Sequence, residues 1–114
     1  MGTAGATESK LLDAQAGIEV TAQVLMSALS GAGLVHDMGF LDCADIRSLE
    51  LLVLGNEVVG YVKLIMRGIE VNQKTVMMEL IKKVGPGGYF MSETQSARLC
   101  RQEAWVSVLS DQLP

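Results

Sequence analysis

The stretch that decides the fold is SGAGLVHDMGFLDC, residues 30–43. It holds three glycines, two short apolar runs and the only histidine of the chain, followed at once by an aspartate. Gly31 and Gly33 end the helix before them, as glycine does just past a helix C-terminus where a left-handed residue is needed. GLVH then reads as a short buried strand, 33–37. A lone strand leaves backbone N–H and C=O groups that are costly to bury unpaired. This strand therefore calls for a partner outside the chain or in a second copy of it. His36-Asp37 has two readings, an acid–base pair or a polar pair ending the strand. Adjacent strand residues point to opposite faces, so the spacing does not promise a bond between their side chains.

Working outward, residues 1–12 read as a lead-in loop and 13–30 as a helix. In that helix Ile18, Ala22, Leu25 and Leu29 recur at helical spacing, and Val24 and Met26 widen the stripe. Between Glu19 and His36 there is no charge, but Thr21, Gln23, Ser27 and Ser30 interrupt the run, which falls short of the roughly 18 apolar residues of a membrane span. A deeply buried helix and strand are expected, with no membrane partner. After the loop, Asp45 is the expected N-cap of a helix over 45–67, with Leu51, Leu54, Val58, Tyr61 or Val62, and Ile65 as its stripe. Gly55 and Gly60 cost about 1 kcal/mol each in a helix interior, which suits a kink or a close contact. Asn72 caps a third helix over 73–84, closed by VGPGG. Ser92 and Gln95 have capping-box spacing for a fourth over 93–110, which would bury Leu99, Trp105 and Val108 or Leu109. The expected fold is mainly α with one short strand, in a single domain.

Composition narrows the function classes. With 49% hydrophobic and 19% charged residues, the 114-residue chain suits a packed globular domain. Nine basic against thirteen acidic residues, net charge −4, and 4% aromatics give no footprint for nucleic acid. Cys43 and Cys100 lie far apart, and a single histidine does not complete a tetrahedral zinc set with them, so no metal site is expected. Both thiols read as free and buried, in a cytoplasmic protein. The start MGTAGATESK lacks the basic and apolar regions of a signal peptide. GPGG follows a helix and lacks a Lys-Ser or Lys-Thr pair, which favours a turn over a phosphate loop. No serine has a nucleophile-elbow setting, and the seven methionines read as core filler.

Four runs, in order, resemble the trimethylamine methyltransferase family: TESKLLDAQAGIE at 7–19, ALSGAGLVHDMGFLD at 28–42, LELLVLGNEVVGYVKLIMRGIEVN at 49–72 and VGPGGYF at 84–90. The resemblance implies a TIM-type (β/α)8 barrel, a fold of roughly 250 residues, of which this chain would be the C-terminal portion, incomplete on its own and oligomeric. It implies transfer of a methyl group from trimethylamine or a quaternary amine such as glycine betaine to the cobalt of a corrinoid (cobalamin) on a partner protein. That chemistry belongs to one-carbon metabolism and methanogenesis. No cofactor would be bound directly by this chain, and the position that carries pyrrolysine in some members lies upstream of it. Barrel active sites lie at the C-terminal ends of the strands. Thr7, Glu8, Ser9 and Lys10, after the seventh strand, and His36, Asp37, Gly39 and Phe40, after the eighth, would then face substrate and corrinoid. Asp37 or Glu8 would stabilise the ammonium, Phe40 offer it a ring face, and His36 bond a substrate carboxylate or the corrinoid edge. Tyr89 stands where family members often carry histidine, and MSETQSARLC matches poorly. The competing reading is a non-catalytic helical oligomerisation or docking module derived from the family.

Overall fold

The computed structural model describes residues 1–111. Residues 1–67 with 107–111 form one compact unit, and Gly68–Val106 form a second.

The first unit begins with strand β1, Gly2–Thr3, followed by helix α1, Ala14–Leu29, and strand β2, Val35–His36. β2 pairs in parallel with β1, Gly2 opposite Val35 and Thr3 opposite His36. The backbone partner of the decisive strand therefore lies inside this chain, within the stretch expected to be a lead-in loop. A strand of two residues is too short to show the alternation by which strands are recognised. Strand, helix and parallel strand make a β–α–β unit, because parallel strands need a crossover that a hairpin turn cannot supply.

α1 starts where Asp13 caps it, its carboxylate accepting the Ala16 N–H at 3.0 Å. It stops before Gly31, whose φ of +75° suits glycine. The buried face is Ala16, Val20 and Val24, whereas Ile18 is 69% and Leu29 60% exposed. Of the expected stripe Val24 is buried and Leu25 packs against the core, while Ile18, Ala22, Met26 and Leu29 face outward, since in a helix apolar almost all round periodicity does not single out a face.

After β2, strands β3, Phe40–Leu41, and β4, Ile46–Arg47, form a short antiparallel pair around a 3₁₀ turn at Asp42–Ala44. The described residues thus hold four strands where one was expected. This pair occupies the start of the expected 45–67 helix, so helix α2 runs from Leu49 to Arg67. Ser48, not Asp45, serves its N-terminus, accepting the Leu51 N–H at 3.0 Å. α2 buries Leu51, Gly55, Val58 and Val62 against α1. Gly55 marks a close approach: a Cβ there would lie 2.6 Å from Met38 Cε. Met38 is the methionine that packs on this core, while Met26 is 65% exposed, so core filling does not describe the methionines as a set.

In the second unit Asn72 caps helix α3, Gln73–Val76, as expected, accepting from the N–H of Lys74 and Thr75. Met77, at φ +52°, separates it from helix α4, Met78–Val84, so the expected single helix is broken in two. Gly85, at φ +67°, ends α4. The last helix, α5, is Thr94–Glu103, shorter than 93–110. Its expected capping box does not form: Ser92 Oγ donates to Tyr89 O, and Gln95 Nε2 reaches Lys74 O. Among the described residues no helix is long and apolar enough to cross a membrane.

Candidate functional site

Because β1 and β2 run parallel, the segments leaving them emerge at the same end of the sheet, where open α/β sheets bind ligands. A cup of about 300 Å³ lies there. Thr3, Thr7 and Glu8 line it from the β1 exit, Gln23 from α1, Asp37 from the β2 exit and Cys43 from the 3₁₀ turn.

The β1 exit is tied down by side chains of α1. Thr7 Oγ1 donates to Glu19 Oε2 at 2.6 Å, and the same oxygen accepts the Glu8 N–H at 2.9 Å. Gln15 Nε2 donates to Glu19 Oε1 at 2.8 Å, and Gln23 Oε1 accepts the Gly5 N–H at 3.1 Å. The Thr7 hydroxyl, followed by the Glu8 N–H and Gln15, holds the Glu19 carboxyl below the ordinary glutamate value.

The β2 exit turns sharply. Asp37 has φ +74°, so the chain leaves the extended conformation there and the rule of opposite faces no longer separates it from His36. His36 Nδ1 lies 2.9 Å from Asp37 Oδ2. The turn that follows is strained: Asp42, Cys43 and Ala44 have φ of +49°, +55° and +79°. Their backbone is held by Asp42 N–H to Ser9 O at 3.0 Å and Cys43 N–H to Thr7 O at 3.1 Å. Strain of this kind persists where the surroundings over-determine the conformation, and here it places Cys43 and Ala44 on the cup wall.

Of the residues expected at the site, Thr7, Glu8 and Asp37 line the cup, and His36 joins it through Asp37. Ser9 is buried, its single hydroxyl proton shared between Leu11 O and Asp13 Oδ2, both 3.0 Å away, which ties it to the start of α1. Lys10 is exposed and outside the cup lining. Gly39 is buried at φ +85°, and a Cβ there would lie 3.1 Å from Leu52 Cβ, which makes it a packing residue. Phe40 already carries the Arg47 guanidinium 5.0 Å from its ring centroid. Both cysteines are free but exposed, not buried.

Sequence reading passed over Thr3, Glu19, Gln23 and Cys43. Glu19 and Gln23 carried a signal, being polar and four residues apart on a helix that is otherwise largely apolar. Among the described residues no cluster of three His, Cys, Asp or Glu is placed to hold a metal ion. Two larger hollows, one apolar beside Val24, Val35 and Val59 and one in the second unit around Met77 and Leu80, are lined by none of the residues expected at the site.

Residues 1–114 match the family described as trimethylamine methyltransferase (MTTB). The chain is 38% identical over 93 residues to trimethylamine methyltransferase MttB of Methanosarcina thermophila, covering 82% of this chain and 19% of that protein. The MttB of Methanosarcina barkeri (strain Fusaro / DSM 804) is 39% identical over 93 residues, with the same coverage of 82% and 19%. Glycine betaine methyltransferase of Desulfitobacterium hafniense (strain Y51) is 31% identical over 108 residues, 94% of this chain and 22% of that protein. The chain thus spans about a fifth of the length of the curated relatives it matches. With the match running through both strand exits that form the cup, the chain belongs to the trimethylamine methyltransferase family.

Proposed function

We propose that this chain is the C-terminal part of a methyltransferase that moves a methyl group from trimethylamine, or a quaternary amine such as glycine betaine, to the cobalt of a corrinoid on a partner protein. The observation that supports it most is the convergence of Glu8 and Asp37 on one cup at the C-terminal ends of two parallel strands, in a chain of this family. In this reading the β–α–β unit and α2 are the last two β/α units of a TIM-type barrel. The sheet stops at β1 and β2, which suits strands that continue pairing elsewhere.

The reaction asks the protein to orient a methyl group in line between nitrogen and metal and to exclude water. The C–N bond breaks with its electron pair on nitrogen, and the methyl passes to the partner's reduced cobalt, whose electron pair forms the new bond. Asp37 and Glu8 supply the negative charge that holds a cationic ammonium. His36 fixes the Asp37 carboxylate through Oδ2. The chain alone is inactive in this reading, which carries a cytoplasmic location with it.

The test is a chimera in which residues 1–114 replace the matching segment of a trimethylamine methyltransferase relative. Mixed with its corrinoid protein in the reduced state and a panel of methylated amines, it should convert cobalt(I) to methylcobalt(III), followed by visible absorbance. A folded chimera that transfers no methyl group from any amine sinks the proposal.

A second reading, a non-catalytic oligomerisation or docking module, is favoured by the exposed apolar residues Ile18, Met26 and Leu29 on one side of α1. An oligomer that buries residues 33–40 between copies, in a chain whose chimera is inactive, supports it.

A further inference from the structure

We propose that Glu19 is the positioning residue that sets where Glu8 stands in the cup, acting through its hydrogen bonds to Thr7 and to the Glu8 backbone; the inference rests on the function proposed above. Gln15, Glu19 and Gln23 are four residues apart and share one stripe of α1, next to its buried face. That stripe holds the β1 exit at two separate points. Gln23 Oε1 takes the Gly5 N–H at 3.1 Å, and Glu19 Oε2 takes both Thr7 Oγ1 at 2.6 Å and the Glu8 N–H at 2.9 Å. Gln15 Nε2 holds the other Glu19 oxygen at 2.8 Å, which fixes the plane of the carboxylate.

The division of labour follows from what each group has left to give. Thr7 is 2% exposed, its hydroxyl donating to Glu19 and accepting the Ser9 N–H at 3.0 Å. Its proton is committed, so its part in the cup is to anchor the wall. Glu8 is exposed and is fixed by its backbone N–H, which leaves its carboxylate for a ligand. Glu19 accepts three hydrogen bonds from the wall and its own helix, so its charge is engaged there. A shift of the β1 exit would carry Glu8 away from Asp37, and misplacements of about 1 Å cost as much as a hundredfold in rate where orientation is the catalytic contribution.

The test uses amide hydrogen exchange on the full chain and methyl transfer in the chimera. Glu19→Ala should speed exchange of the Glu8 amide about tenfold or more, while the Gly5 amide, held by Gln23, keeps its protection; Gln23→Ala should do the reverse. Glu19→Gln retains an oxygen acceptor and should restore Glu8 protection. Glu19→Asp, which withdraws the carboxylate by one methylene, serves if the alanine variant does not fold, and should free the Glu8 amide in the same way. In the chimera Glu19→Ala should lower kcat/KM about tenfold or more, with most of it returned by Glu19→Gln. Unchanged Glu8 protection in Glu19→Ala or Glu19→Asp, or a uniform rise in exchange across residues 1–67, overturns the proposal. If Glu8 responds as expected but the parent chimera transfers no methyl group, the positioning role stands and the reaction assigned to the cup falls.

Discussion

His36 Nδ1 and Asp37 Oδ2 are 2.9 Å apart, although the two residues are neighbours at the end of a strand. The contact exists because the backbone turns left-handed at Asp37, φ +74°, and swings its carboxylate to the histidine's side. Aspartate is among the few residues that adopt this conformation at modest cost. One carboxylate thereby engages the histidine and borders the cup.

Asp37→Asn keeps the size of the side chain and its tolerance of positive φ but removes the charge. In the chimera it should lower kcat/KM for a trimethylammonium substrate about 10- to 100-fold, the scale of a lost charge-assisted interaction. The parent and variant should have similar thermal midpoints. An equal rate in both would remove Asp37 from substrate binding.

Leu51 is fully buried, 0% exposed, in the core between α1 and α2. Leu51→Ala should destabilise the chain by about 2–5 kcal/mol in urea unfolding. Ile18→Ala, at a position 69% exposed, should change stability by no more than about 0.5 kcal/mol. A large effect at Ile18 in a monomer would contradict the assignment of the buried face.

Folding lowers the proton affinity of Glu19, chiefly through the Thr7 hydroxyl, and of Asp13, chiefly through the Ala16 N–H. The unfolded chain therefore binds those protons more tightly. Their contribution to stability is complete above the ordinary carboxylate values and is lost as pH falls through the lowered ones. Urea midpoints measured from about pH 7 down to about pH 3 should fall along this course, and Glu19→Gln should flatten it.

Gly5 and Gly55 both face Met38, with opposite expected outcomes. At Gly55 the contact is the flexible end of the side chain, so Gly55→Ala inside α2 should be near neutral once Met38 shifts. At Gly5 the φ is +96° and a Cβ would lie 3.0 Å from Met38 Cα, so Gly5→Ala should destabilise by about 1–2 kcal/mol or more. Thermal unfolding of the two variants checks the contrast.

Cys43 and Cys100 are both exposed. A thiol reagent should modify both in the folded chain without denaturant, and protection of either would show that its surface is covered in solution.

The sequence by itself determined the features set by neighbouring residues. Asp13 and Gly31 bound α1, Asn72 starts α3, Gly85 ends α4, and Leu51, Val58 and Val62 mark the buried side of α2, because caps, stops and stripes act over one or two turns. The four family-like runs were legible too, and the resemblance they carry, rather than any local rule, pointed to Thr7, Glu8 and Asp37, which line the cup. Only the tertiary structure decided what depends on distant pairing. It gave β2 its partner at Gly2–Thr3, placed a strand pair where a helix start was expected, and chose Ala16 and Val20, beside the expected Val24, as the face α1 buries. It also brought Gln23 and Cys43 to the cup and set Ser9 beside Asp13, Gly39 close to Leu52 and Phe40 under Arg47. The physical reason is the same in each case: two-residue strands and left-handed turns have little local preference of their own, and they exist because contacts made far along the chain hold them.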